Sequence, residues 1–108
     1  MKQTRFLSTL IVFLFSVAGL AAQEVVISGS ITDATTGDPL PGANVSITNT
    51  NYGGATDING NYSFSAPASG QEAELLTRFI GYYSKAVNVT LTAGAITQDF
   101  ALDEDVLE

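Results

Sequence analysis

Few residues in this 108-residue chain could do chemistry, and their spacing decides what that chemistry would be. Asp57-Ile58-Asn59-Gly60-Asn61 sets side-chain oxygens at alternate positions with a glycine among them, as at the start of a calcium loop. Such a loop also needs a bidentate glutamate at its twelfth position and helices on both flanks. The twelfth position is Ala68 and the flanks alternate with period two, so the segment is read as an Asn-Gly hairpin turn. Glu72 and Glu74 share a strand face, as paired acid/base carboxylates would, yet solubility charge on an edge strand gives the same pattern. Arg78, Lys85, Tyr82 and Tyr83 could ring a small ligand, and an aromatic core corner explains them equally well. The chain has no histidine and no cysteine, so serine and thiol triads lack a base or a nucleophile. No catalytic residue, metal ligand or cofactor is predicted.

Three Asn-x-Ser/Thr triplets begin at Asn44, Asn61 and Asn88. Their polar residues lie two apart, which is what a solvated strand face generates unaided. They read as polar strand faces unless the source glycosylates.

The elements that must hold these residues are strands. Val25, Ile27, Gly29 and Ile31 alternate with polar neighbours, as do Ala43, Val45 and Ile47, then Tyr62, Phe64 and Ala66. Lys85, Val87, Val89 and Leu91 repeat the pattern, which puts Lys85 on a core-alternating face. Ile96, Phe100 and Leu102 give a last, weaker strand. Ala73 to Tyr83 carries apolar groups on both faces, at Leu75-Leu76 and Phe79-Ile80, which predicts a central strand covered on both sides. Thr36-Gly37-Asp38-Pro39, Pro41-Gly42 and Asn59-Gly60 supply the turns, with type I′ geometry expected at Asn59-Gly60. No window after Ala22 repeats every 3.6 residues. About seven short strands at this spacing predict an all-β, small antiparallel Greek-key β-sandwich.

Residues 1–22 stand apart. Lys2 and Arg5 precede the apolar run Leu10 to Leu20, and Gly19-Leu20-Ala21-Ala22 offers small-residue cleavage sites, which is the order of a secretory signal. The run is short of the roughly 20 apolar residues of a membrane helix. Without a cysteine it cannot be a lipoprotein signal. Its removal leaves Arg78 and Lys85 against 11 acids, and the formal charge moves from −7 to 2 − 11 = −9. Nucleic acid is thereby excluded as a partner, since phosphate binding needs basic clusters. The division is a signal over 1–22, a sandwich over 23–102, with no membrane span and a monomer in isolation, and an acidic, solvated tail or linker start over 103–108.

Three ordered motifs carry a family resemblance. They are Ile27-Ser28-Gly29-x-Ile31-Thr32-Asp33-Ala34-x-Thr36-Gly37-x-Pro39-Leu40-Pro41-Gly42-Ala43-Asn44-Val45, Gly54-x-Thr56-Asp57-x-Asn59-Gly60-x-Tyr62-Ser63-Phe64, and Phe79-Ile80-Gly81-Tyr82. Together they resemble the carboxypeptidase-regulatory-like domain, a transthyretin-like (prealbumin-like) sandwich. They resemble in particular the version at the N-terminus of Bacteroidetes TonB-dependent outer-membrane receptors. The resemblance implies structural turns at Gly42, Asn59 and Gly60 and no peptidase residues.

It further implies a periplasmic accessory domain for nutrient uptake. Its partners would be other receptor elements, with the energising complex as a further candidate. A transmembrane barrel needs at least eight strands of roughly ten residues, which this chain lacks. The chain is therefore expected to be a receptor fragment or a free-standing exported copy. The alternative is an exported sandwich that binds carbohydrate or another small ligand through Tyr52, Tyr82 and Tyr83. A third reading is a spacer or adhesion module.

Overall fold

The computed structural model describes residues 23–106. Eight strands run in chain order: β1 Glu24–Asp33, β2 Asn44–Ile47, β3 Gly53–Ala55, β4 Asn61–Pro67, β5 Glu72–Arg78, β6 Lys85–Thr90, β7 Gly94–Thr97 and β8 Phe100–Leu102. One sheet places β1 between β4 and the β7/β8 pair; the other has the order β3-β2-β5-β6. The chain changes sheets at β1–β2, β3–β4, β4–β5 and β6–β7. There is no helix among the described residues. The expected all-β sandwich is what the chain forms.

Period-two alternation explains how the sheets close on each other. Val25, Ile27 and Ile31 of β1 face Val45 of β2 and Leu75 of β5 across a core in which each is essentially solvent-free. Burying each such side chain contributes about 1.5–3 kcal/mol. Tyr62 and Phe100, with ring centres 6.5 Å apart, extend that core.

Four details depart from the sequence reading. The weak last strand is two strands, β7 and β8, and both pair parallel to β1 within an otherwise antiparallel arrangement. The break falls at Gln98-Asp99, opposite Gly29. A Cβ on Gly29 would collide with the Gln98 carbonyl oxygen, so only glycine lets β7 turn into β8 there. The Tyr62 hydroxyl caps that carbonyl, while Asp99 Oδ1 accepts the Ser30 N–H at 2.8 Å, a rung the broken strand leaves open.

The strand predicted over Ala73 to Tyr83 ends at Arg78. It is central in its sheet, but Leu76 is only half-buried because no described residue covers the outer face fully, and Ile80 is 92% exposed. Lys85 is exposed rather than turned to the core, and its ammonium donates to the Ala101 carbonyl at 3.0 Å. Its position at the start of β6 lets the long side chain reach solvent at the edge of the sandwich.

The Asn59-Gly60 turn also differs. It joins β3 to β4, which belong to different sheets, rather than closing a paired hairpin. Gly60 has φ +77°, but Asn59 is not in the left-handed region, so type I′ geometry is excluded. The Gly60 N–H donates to the Asp57 carbonyl and the Asp57 N–H to the Asn61 carbonyl, both at 2.9 Å. This is a type I turn followed by a left-handed glycine.

Candidate functional site

Because β8 runs parallel to β1, the chain meets the sandwich at one end and leaves it at the other. The proximal end holds Gln23, the β2–β3 turn and the start of β5. The distal end holds Asp33, the turns at 37–42 and 57–60, the β5–β6 loop and Asp103–Val106. At 3.3 Å per residue the length of β1 separates them by about 30 Å.

The distal end is built around Asp33, where β1 stops. Its carboxylate is buried and accepts the Thr35 and Thr36 N–H groups at 2.7 and 2.9 Å and the Tyr82 hydroxyl at 2.7 Å. The Thr36 N–H first, then Tyr82 and Thr35, hold the carboxyl below its ordinary value of 3.8. The same bond to Asp33, reinforced by desolvation and by the charges of Asp33, Glu104 and Asp38, pushes Tyr82 up to about 12. Near neutral pH the acid stays ionised and the phenol stays protonated. Neither is poised to exchange a proton, so the pair acts as a latch between β1 and the β5–β6 loop.

The residues after Leu102 fasten the same loop. The Tyr83 N–H donates to the Asp103 carbonyl at 2.9 Å, the Asp105 N–H donates to the Gly81 carbonyl at 2.8 Å, and Tyr82 bridges Glu104. The acidic run expected to be solvated is thus held by its main chain through Asp105, with its side chains outward. Buried Thr56 supplies another fastening, its hydroxyl accepting the Ala43 N–H at 2.9 Å and donating to the Leu40 carbonyl. Asp57 Oδ1 accepts the Asn59 and Asn61 N–H groups at 2.9 and 3.0 Å. The oxygens that suggested a calcium loop thus organise the turn, and no group of three potential metal ligands is assembled among the described residues. Gly42 lies in the left-handed region at φ +82°.

The proximal end is different in kind. An open cleft of about 570 Å³ lies between Ile47, Asn49, Tyr52, Pro67, Gln71 and Leu91. Tyr52 also lines a smaller neighbouring recess with Gln23 and Ser65. Tyr52 is therefore far from Tyr82 and Tyr83, and the three tyrosines do not form one ligand surface. Arg78 lines a separate shallow depression with Phe79 and Ile80. Glu72 and Glu74 both point to solvent, and Glu74 accepts the Thr48 hydroxyl at 2.8 Å. Asn44, Asn61 and Asn88 are all exposed.

Sequence reasoning missed Asp33 and Thr56 as fastening residues. Both fall within the quoted motifs, but nothing in their spacing marks them as buried.

Exposed large apolar groups concentrate distally: Ile58 is 80% exposed, Ile80 92%, Tyr83 58% and Val106 64%. Arg78 and Lys85, the two basic residues beyond residue 22, sit at the same end.

Residues 27–108 match the CarboxypepD_reg-like domain family, and the chain belongs to that family. It is 34% identical over 87 residues to the TonB-dependent receptor SusC of Bacteroides thetaiotaomicron, covering 81% of this chain and 8% of the receptor. It is also 34% identical over 83 residues to the TonB-dependent receptor P3 of Formosa agariphila, covering 76% of this chain and again 8% of the receptor. The chain thus spans about a twelfth of the length of either relative.

Two solved structures share the fold alone. One is a cohesin–X–dockerin complex from Acetivibrio cellulolyticus, with TM-score 0.57, 22% identity, and coverage of 70% of this chain and 52% of that one. The other is catechol 1,2-dioxygenase from Acinetobacter sp. ADP1, with TM-score 0.60, 14% identity, and coverage of 82% and 55%. The relatives found by sequence are receptors rather than enzymes. No helix among the described residues is long and apolar enough to cross a membrane.

Proposed function

We propose that this chain is a non-catalytic accessory domain of a TonB-dependent outer-membrane receptor, working on the periplasmic side by protein–protein contact during nutrient uptake. The observation that carries this reading is the lopsided match: most of the chain aligns with each receptor but spans 8% of its length. A self-contained sandwich attached to a much larger receptor is a module added to the transporting machinery. The signal pattern of residues 1–22 supports export and a position at the receptor's N-terminus. The missing histidine and cysteine, and an acid–phenol pair fixed as a latch, support a non-catalytic role.

The distal end is the contact surface in this account. It combines the exposed Ile58, Ile80, Tyr83 and Val106 with the scarce positive charges Arg78 and Lys85. Large apolar side chains left in water beside charge mark sites of protein contact. Neighbouring receptor elements are the first partners by position, and the energising complex is the next.

A second reading rests on the proximal cleft, where Tyr52 offers one stacking face beside polar groups to a carbohydrate or another small ligand. Deleting residues 24–102 from a receptor that carries this domain tests the first reading. The expected result is normal outer-membrane abundance with weakened uptake or signalling. Loss of the receptor from the membrane would assign a folding or targeting role instead. Unaltered abundance, uptake and signalling would leave the accessory role unsupported.

A further inference from the structure

We infer from the strand order that the domain is built to carry tension from end to end, with the parallel β1–β7/β8 seam as its clamp. Strand β1 enters at the proximal end, and β8 leaves at the distal end in the same direction. Force applied outward at Gln23 pulls β1 proximally, while force at Val106 pulls β7 and β8 distally. Adjacent strands drawn in opposite senses along their own axes are loaded in shear. All their cross-strand bonds then resist together. Strands pulled apart from one end open a single rung at a time.

The seam is long and reinforced. Four positions of β7 pair with Val25–Ser28, and three of β8 pair with Ile31–Asp33. The gap between these segments is spanned by the Gln98 N–H to the Ser28 carbonyl and by Asp99 Oδ1 accepting the Ser30 N–H, both at 2.8 Å. The Ala34 N–H to the Leu102 carbonyl, at 2.9 Å, closes the distal end. Seven antiparallel positions to β4 hold β1 from its other side. The bonds from Asp103 and Asp105 to the β5–β6 loop carry load from the departing chain into the second sheet. The Asp33–Tyr82 latch does so as well. This inference concerns the sandwich itself and stands whether or not the receptor reading does.

The chain's lack of cysteine allows thiol handles to be placed at will. Single molecules carrying Gln23→Cys with Val106→Cys are loaded along the seam. Molecules carrying Gln23→Cys with Ser69→Cys, both at the proximal end, are peeled from one end. All three handle positions, Gln23, Ser69 and Val106, are exposed, and circular dichroism of each doubly substituted chain verifies the fold before pulling. At one pulling speed the 23/106 pair is expected to unfold at a several-fold higher force than the 23/69 pair, because forced unfolding reads the barrier along the pulled direction. Adding Asp99→Ala should lower the 23/106 force and leave the 23/69 force nearly unchanged. Equal forces in the two geometries, or a weaker 23/106 pair, would overturn the clamp. An Asp99→Ala effect of equal size in both geometries would overturn the assignment of Asp99 to the seam.

Discussion

The two ends of the sandwich are made from the same turn-rich sequence grammar, yet one is fastened and the other is open. Distally, Asp33, Thr56 and Asp57 each spend their side-chain oxygens on main-chain N–H groups, and Tyr82 is bonded to Asp33. Proximally, Tyr52 and Asn49 border an open cleft. The difference shows where a small core needs help. Each end gathers three connections and one end of the described chain, but distally Asp33, Thr56, Asp57 and Tyr82 tie them to one another. The same rigid frame then presents Ile58, Ile80 and Tyr83 outward.

The comparison breaks most sharply at Gly60. A Cβ there would lie 2.8 Å from Pro39 Cβ and 2.9 Å from the Ile31 carbonyl oxygen, on a backbone already at φ +77°. Gly60→Val should therefore cost about 3 kcal/mol through strain and displaced neighbours, read as a lower urea midpoint. An unchanged midpoint would mean that the distal turns are not packed as described.

The latch comes next, and its signature is a pH dependence. Asp33 has a folded-state pKa below its unfolded value. Its contribution is complete well above pH 3.8 and is lost as pH falls through the lowered value. Tyr82→Phe removes one cause of that lowering, so acid unfolding should begin at a higher pH than in the parent chain. Tyr52→Phe should leave the acid limb where it is. Tyr82 itself, pushed up to about 12, contributes fully below pH 10 and loses that contribution as pH rises through about 12.

Between the ends, Thr77 is fully buried, and its hydroxyl has no hydrogen-bond partner among the described residues. Thr77→Val keeps the shape and removes the unpaired group, so it should stabilise by about 1 kcal/mol. The smallest effect belongs to the open end: Tyr52→Ala should change stability by no more than about 0.5 kcal/mol.

Much of this architecture was legible from alternation. The core residues of β1, β2 and β4 fall on the faces their spacing assigns, because a half-buried strand leaves a period-two record. What alternation does not record is the partner. Nothing in Ile96, Phe100 and Leu102 says that they lie parallel to β1, nor that Asp99 takes over a rung from the backbone. Asn59-Gly60 admits two turn geometries, and the Asp57 carboxylate selects the type I form by holding the Asn59 and Asn61 N–H groups. The run DEDVLE reads as solvated because its composition reports side chains, whereas the main chain of Asp103 and Asp105 makes the bonds. The three tyrosines looked like one aromatic surface because only the fold separates Tyr52 from Tyr82 and Tyr83.

In the proposed function the distal end does the domain's work in a receptor. The most direct measurement compares Ile80→Glu with Tyr52→Glu in a full receptor carrying this domain, scoring substrate uptake against outer-membrane abundance. Both side chains are exposed, at 92% and 42%, so neither change should unfold the sandwich. The account predicts reduced uptake at normal abundance for Ile80→Glu and unchanged uptake for Tyr52→Glu. Reduced uptake from Tyr52→Glu alone would contradict it and assign the function to the proximal cleft.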